Sequence, residues 1–359
     1  MQKPAQEKTA LPDALYDLQM WDHLSLSECA EIALLVERHV APAFQFIGIE
    51  TCMTGTQRHQ MARFTWQSPS ESEPCSFMLI PGSVATLGYD RAYQPEPRAE
   101  LMYEWWKPNS DEDDAQVAAN EEPFRSLLPS LYDQLHQQMD AVLSPLRTVT
   151  IQPFLFEATA RPAPQLVAKV IGKYQRQDLW SRRRQKFVGK HWSRAWPPEF
   201  PPSLAARLIG QAGFRFPTSD EWEYACAAGM RTLFYWGNAP FGEDENEWDY
   251  ARARKTKALF YWGGNAPLNE SAKYIDTPLN AFGLAMVTNP YFCEWCAESE
   301  IMRGGDGGVA SCGGEGRLAG TLSSASSYVH HTGSEEYYRI GSYYPGYVRR
   351  LYDLVRPRG

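Results

Sequence analysis

A chain of 359 residues with 43% apolar and 22% charged residues is globular in composition and long enough to bury a core without disulfide or metal staples. This excludes a collagen-like fibre, a coiled coil and a mostly disordered chain, and no apolar run approaches the roughly 18–20 residues of a membrane helix. A formal net charge of -8 argues against nucleic acid or an anionic membrane as a partner of the molecule as a whole.

The first stretch contains Lys3, Glu7, Lys8, Asp13 and Asp17 and no secretory apolar run, so a cytoplasmic protein is expected. Ser25-Leu26-Ser27-Glu28 has the form of a capping box, and Leu26, Ile32, Leu35, Val36 and Val40 make an apolar stripe behind it. The pattern predicts a helix over 25–40, ended by Pro42. Strands are expected over 44–49 and 61–66, a turn-rich loop over 68–74, and a buried strand over 76–83 that resumes at 86–88. The acidic residues Asp111, Glu112, Asp113, Asp114, Glu121 and Glu122 read as a solvated loop. A helix follows over 130–143, with Leu131, Leu135, Met139 and Val142 on one face, and then an apolar, β-branched strand over 148–156.

Residues 169–194 are basic, with Trp180 and Trp192 among them. Such interleaving suits a solvated helix with inward tryptophans, a dock for an acidic partner, or, least expected, a single-stranded nucleic-acid track. A short helix is expected over 203–211, with Gly213 as its stop. Thr218 and Glu221 form a second capping box at the head of another helix. The segment 233–240 is echoed at 259–267, two copies where a solenoid needs three. Beyond Asn280 the chain is glycine-rich and irregular, and the 13% aromatic content predicts a loop-rich fold pinned by ring clusters.

The seven cysteines are odd in number and irregularly spaced, so free thiols are expected. Cys293-Glu294-Trp295-Cys296 is a C-x-x-C with no second pair at zinc spacing. On a strand its two thiols face opposite ways, which argues against a shared metal. His330-His331 reads as part of a solvated loop.

Several segments, in order, resemble the formylglycine-generating enzyme (sulfatase-modifying factor) family. They are Phe77-Met78-Leu79-Ile80-Pro81-Gly82, Thr148-Val149-Thr150-Ile151-Gln152-Pro153-Phe154, and the run from Phe214 to Ala225 (FRFPTSDEWEYA). Tyr235-Trp236-Gly237-Asn238, Asn280-Ala281-Phe282-Gly283-Leu284, Cys293-Glu294-Trp295-Cys296-Ala297-Glu298, Met302-Arg303-Gly304-Gly305 and Leu354-Val355-Arg356 follow. The resemblance implies an α+β, C-type-lectin-like fold over residues 76–359, with 1–75 as an N-terminal extension and about 89–147 as an insertion. It also implies a structural calcium held by Asn289 and Glu294, and an active centre just after Arg303-Gly304-Gly305.

The family's oxidases hold Cu(I) between two cysteines there, because a soft ion prefers thiolates. This chain has Cys312 and no cysteine among residues 313–359, so Cys312 is the catalytic candidate and copper is not expected. The family's ergothioneine-type iron enzymes use a His-x3-His-x-Glu pattern, which none of the seven histidines forms. Residues 311–347 are rich in Ser, Gly, Tyr and His, a composition shared with antibody paratopes. The expected function is therefore a non-oxidase pseudoenzyme that binds a protein, peptide or small ligand through Arg303, Asp306, Trp295, His330 and Tyr344. The alternative is a metal-dependent oxidase of a cysteine-containing peptide or small molecule, with altered metal ligands.

Overall fold

The computed structural model describes residues 11–67, 74–92, 96–107, 119–163, 202–238, 279–286, 292–306, 310, 316–331 and 346–355. The basic segment 169–194, the acidic residues 111–114 and the second copy of the repeat lie outside them.

Local chemistry sets the first elements. Asp17 Oδ1 accepts from the backbone of Gln19 and Met20 and starts α1 (Leu18–Asp22). The expected capping box starts α2 (Leu26–Leu35), with Ser25 N donating to the Glu28 carboxylate at 2.8 Å. The helix ends in a π turn, Val36–Val40, before Pro42. β1 (Phe44–Thr54) and β2 (Gln57–Trp66) then form one long antiparallel hairpin, turning at Gly55 and bulged between Phe46 and Gly48. Both strands outrun the expected ones, because the polar stretch Glu50 to Gln60 hides the alternation that buries Cys52 and His59.

β3 (Cys75–Ile80) and β4 (Ser83–Leu87) follow. The next helices are α3 (Ala99–Trp106), α4 (Glu122–Arg125) and α5 (Leu128–Val142). Glu121 and Glu122 open α4, which corrects the loop expected there: carboxylates suit a helix start, and Pro123 fits its first turn. The single strand expected over 148–156 is two, β5 (Arg147–Ile151) and β6 (Phe154–Glu157). Pro153 has no N–H to continue a ladder, so the chain changes sheets at Gln152-Pro153.

The remaining elements are β7 (Arg161–Pro162), α6 (Pro202–Gly210), α7 (Ser219–Ala227), β8 (Glu294–Trp295) and β9 (Ile301–Arg303). After them come α8 (Gly316–Leu322), β10 (His330–His331), β11 (Tyr347–Val348) and β12 (Leu351–Asp353). Where a loop was expected at His330-His331, a short strand pairs with β9.

The protein is α+β. A five-stranded antiparallel sheet runs β1-β2-β3-β6-β12, so the N-terminal hairpin shares a sheet with strands from the middle and end of the chain. A second five-stranded sheet runs β10-β9-β8-β11-β7, with only β8 and β11 parallel, and β4-β5 form a ribbon. Among the described residues no helix is long and apolar enough to cross a membrane.

The expected ring clusters hold the core. Phe214 stacks on Phe77 at 5.5 Å and meets Trp66 edge-on at 4.9 Å, with Phe44 5.1 Å from both Phe77 and Tyr352. Gly88 fixes the exit of β4. Its φ is +100°, its N–H donates to Glu223 at 2.6 Å, and a Cβ there would lie 2.1 Å from the Pro145 carbonyl oxygen. Gly88→Ala is expected to cost at least about 2–3 kcal/mol in urea unfolding, combining backbone strain with a backbone clash.

Candidate functional site

Three buried glutamates anchor the region where the sequence places its site. Glu294 and Arg349 are both fully buried, and the guanidinium meets the carboxylate in two bonds, Nε to Oε2 at 2.9 Å and Nη2 to Oε1 at 2.8 Å. Trp222 Nε1 adds a third donor to Oε2 at 2.9 Å. Glu157 holds Arg350 through both oxygens, at 2.7 and 2.8 Å, and Arg161 at 2.7 Å. The Arg350 guanidinium also lies over the rings of Trp66, Phe77 and Phe214, at 5.0–5.7 Å. Glu223, from α7, accepts from Arg303, Arg147 and Ser144 on Oε2 and from the Gly88 amide on Oε1. Bidentate, charge-assisted bonds of this kind fix planar geometry, and burial makes them expensive to break.

Arg303 is held on three sides: by Glu223 at 2.8 Å, by Ser219 Oγ at 2.7 and 3.0 Å, and by the Tyr328 carbonyl at 2.9 Å. It is an anchor inside the fold rather than a surface cation, because the capped start of α7 delivers Ser219 and Glu223 to the same guanidinium. Glu294 pairs with Arg303 in the β8–β9 register, so both side chains point into the interior.

The opposite face of this sheet is different. Registers place His330 beside Met302 and Met302 beside Trp295. Cross-strand neighbours share a face, so imidazole, thioether and indole form one row across β10, β9 and β8, spanning about 10 Å. His330 and Trp295 are half-buried and Met302 is buried, its sulfur 3.4 Å from Cys293 Sγ. Gly346 lies so close to the Trp295 indole that a Cβ there would meet Nε1 at 2.1 Å, which fixes the ring from the β11 side. Asp306 is buried at the end of the β9 turn, where it accepts from the Ala310 N–H at 2.9 Å.

Of the expected site residues, Trp295 and His330 therefore fall on one row, Asp306 follows the same strand, and Arg303 supports the row from behind. Cys312, Tyr344 and Asn289 lie outside the described residues. Glu294 does not fit a calcium ligand here, since both its oxygens already hold guanidinium or indole donors. Among the described residues no cluster of three or more His, Cys, Asp or Glu could hold a metal ion.

Burial holds five of the described thiols in their protonated form. Burial pushes Cys226 and Cys293 up to about 12 and Cys296 further still, and Cys29 and Cys52 up to about 11. A thiolate is the reactive form, so Cys293 and Cys296 offer no redox chemistry near neutral pH.

Sequence reading missed Glu223, Arg147, Ser219 and Asn280. Asn280 stitches its loop to α7: its amide donates to the Ala225 and Cys226 carbonyls, and its Oδ1 accepts from the Phe282 and Leu284 amides. Glu223 carried a readable signal, since it sits on the face of α7 that the Thr218 cap turns inward. Above it lies a small cavity of about 30 Å³ lined by Gly88, Asp90, Arg231 and Ser327, room for about one or two waters and too little for a peptide or cofactor. No protein-family model and no curated protein matches the chain.

Proposed function

We propose that this chain is a divergent relative of the formylglycine-generating enzymes, in a C-type-lectin-like fold, that binds a peptide or small ligand and does not oxidise it. The observation that carries this reading is the row His330–Met302–Trp295, backed by the buried Arg303–Glu223 pair. A half-buried indole and imidazole either side of a buried thioether make an apolar, aromatic patch, about the length of three extended peptide residues. Its backing is rigid, which lowers the ordering cost of binding. Cys312 stands close in sequence, and none of residues 313–359 is a cysteine that could pair with it in a copper clamp.

Three measurements on the full chain test this: metal content as purified, oxygen uptake with a cysteine-containing peptide with and without copper, and binding of that peptide. Saturable binding that weakens about tenfold in Trp295→Ala, with no oxygen uptake, is the expected result. Oxygen uptake that disappears in Cys312→Ser replaces this reading with the oxidase one. Binding indifferent to Trp295 moves the site elsewhere.

A further inference from the structure

We propose that the insertion carries a second, independent site: an aromatic corner on α3 that binds a methylated ammonium ion. Tyr103 and Trp106 are three residues apart and so share a face of the helix. Their rings meet at 6.0 Å with an interplanar angle of 70°, forming two walls at nearly a right angle. Phe124, from α4, closes the back, 5.1 Å from Tyr103 and 5.7 Å from Trp106. Trp106 remains 40% exposed, so the corner opens to solvent.

The corner already receives a cation. Lys107 Nζ lies 5.0 Å from the Trp106 ring centre and 5.5 Å from that of Tyr103. The geometry that attracts this ammonium is the one that attracts any cation to a ring quadrupole. A primary ammonium is a strongly hydrated point charge, and it gives up much of that hydration to sit on two rings. A quaternary ammonium is weakly hydrated and presents polarised methyl groups to both walls, so it competes well for the same place. Lys107 is the C-cap residue of α3 and follows Trp106 directly, so its side chain can leave the corner without unfolding the helix. The rest of α3 keeps the corner in place: Leu101 and Met102 are buried, and Trp105 donates to Gln138 on α5 at 3.0 Å.

The test is calorimetric titration of the full chain with tetramethylammonium chloride and with choline, against sodium chloride at matched ionic strength. A trimethyl-lysine peptide and its unmodified twin form a second arm, which separates a free small ligand from a modified chain. Saturable binding of the methylated ions is expected, weakened about tenfold in Trp106→Leu and tightened about threefold in Lys107→Ala, which removes the resident competitor. Absence of saturable binding to both wild type and Lys107→Ala overturns the proposal, as does binding that neither substitution changes. Should Trp106→Leu fail to fold, Lys107→Ala decides alone: tightening supports the site and an unchanged affinity removes it. Trp295→Ala, on β8 of the second sheet, leaves this binding intact, so the two sites fail separately.

Discussion

Arg349→Met is expected to lower the free energy of unfolding by about 3–5 kcal/mol, a large share of the roughly 5–15 kcal/mol that holds a folded domain. The guanidinium is fully buried and donates to four acceptors: both oxygens of Glu294 and the carbonyls of Glu157 and Ala285, all at 2.8–2.9 Å. Its plane also lies over Phe156, 5.3 Å from the ring centre. Methionine fills much of that volume but supplies no donor. Among the described residues Glu294 then keeps the Trp222 indole as its remaining hydrogen-bond donor for a buried charge, and two carbonyls lose a donor.

The charge is the larger part of that cost, which gives the prediction its control. Adding Glu294→Gln to Arg349→Met removes the stranded charge and is expected to restore about half of the loss. Urea unfolding monitored by tryptophan fluorescence measures both variants. Arg349→Lys serves where the methionine variant does not fold: it keeps the charge, loses the two-point grip, and is expected to lose less. A loss below about 1 kcal/mol for Arg349→Met means that water or a rearranged neighbour reaches Glu294, and the core is then not dry. By contrast, the half-exposed pair Arg63–Glu50 is expected to contribute no more than about 1 kcal/mol.

Those ion pairs also mark where sequence reading stops. Helix starts were legible because their chemistry is local: Ser25 with Glu28, and Thr218 with Glu221, act across three residues and need no knowledge of the rest of the chain. The apolar strand β3 and the amphipathic α5 were legible for the same reason, their burial pattern being written in their own period. The break at Pro153 was available in principle, since a residue with no N–H interrupts a ladder, but the β-branched run around it dominates the reading. The Arg–Glu pairs were not legible at all. Arg349 and Glu294 are 55 residues apart, Arg303 and Glu223 are 80, and Arg350 and Glu157 are 193. Taken alone, none of these six residues points to its partner.

The site shows the same division. Arg303, Trp295 and His330 were picked from the sequence as though they were equivalent. Strand register then separates them, sending Arg303 to the inner face and Trp295 and His330 to the outer one. A one-residue shift in a two- or three-residue strand reverses that assignment, and no pattern so short specifies register.

Alkali is expected to unfold this protein well before it affects a typical thiol-poor domain. The ordinary thiol value is 9.0, and burial holds Cys29 and Cys52 near 11 and Cys226 and Cys293 near 12 in the folded state. Below pH 9 both states keep these protons and nothing is lost. Above it the unfolded chain releases protons that the folded chain retains, so stability falls with rising pH until the folded thiols themselves ionise at about 11–12. At pH 10 each such thiol has cost on the order of 1 kcal/mol, so the four together remove several kcal/mol relative to pH 8. Tyr89, pushed up to about 12 by burial and hydrogen-bonded to the buried His136, extends the loss above pH 10. Guanidinium unfolding at pH 8, 9 and 10 under reducing conditions measures the slope. Removing one titrating group through Cys226→Ala lowers stability at pH 8, because a small cavity opens, yet it should flatten the slope between pH 9 and 10 by about 1 kcal/mol per pH unit. An unchanged slope in that variant assigns the alkaline loss to other groups and leaves Cys226 in contact with solvent. A flatter slope shows that the thiol proton itself is part of what the fold retains.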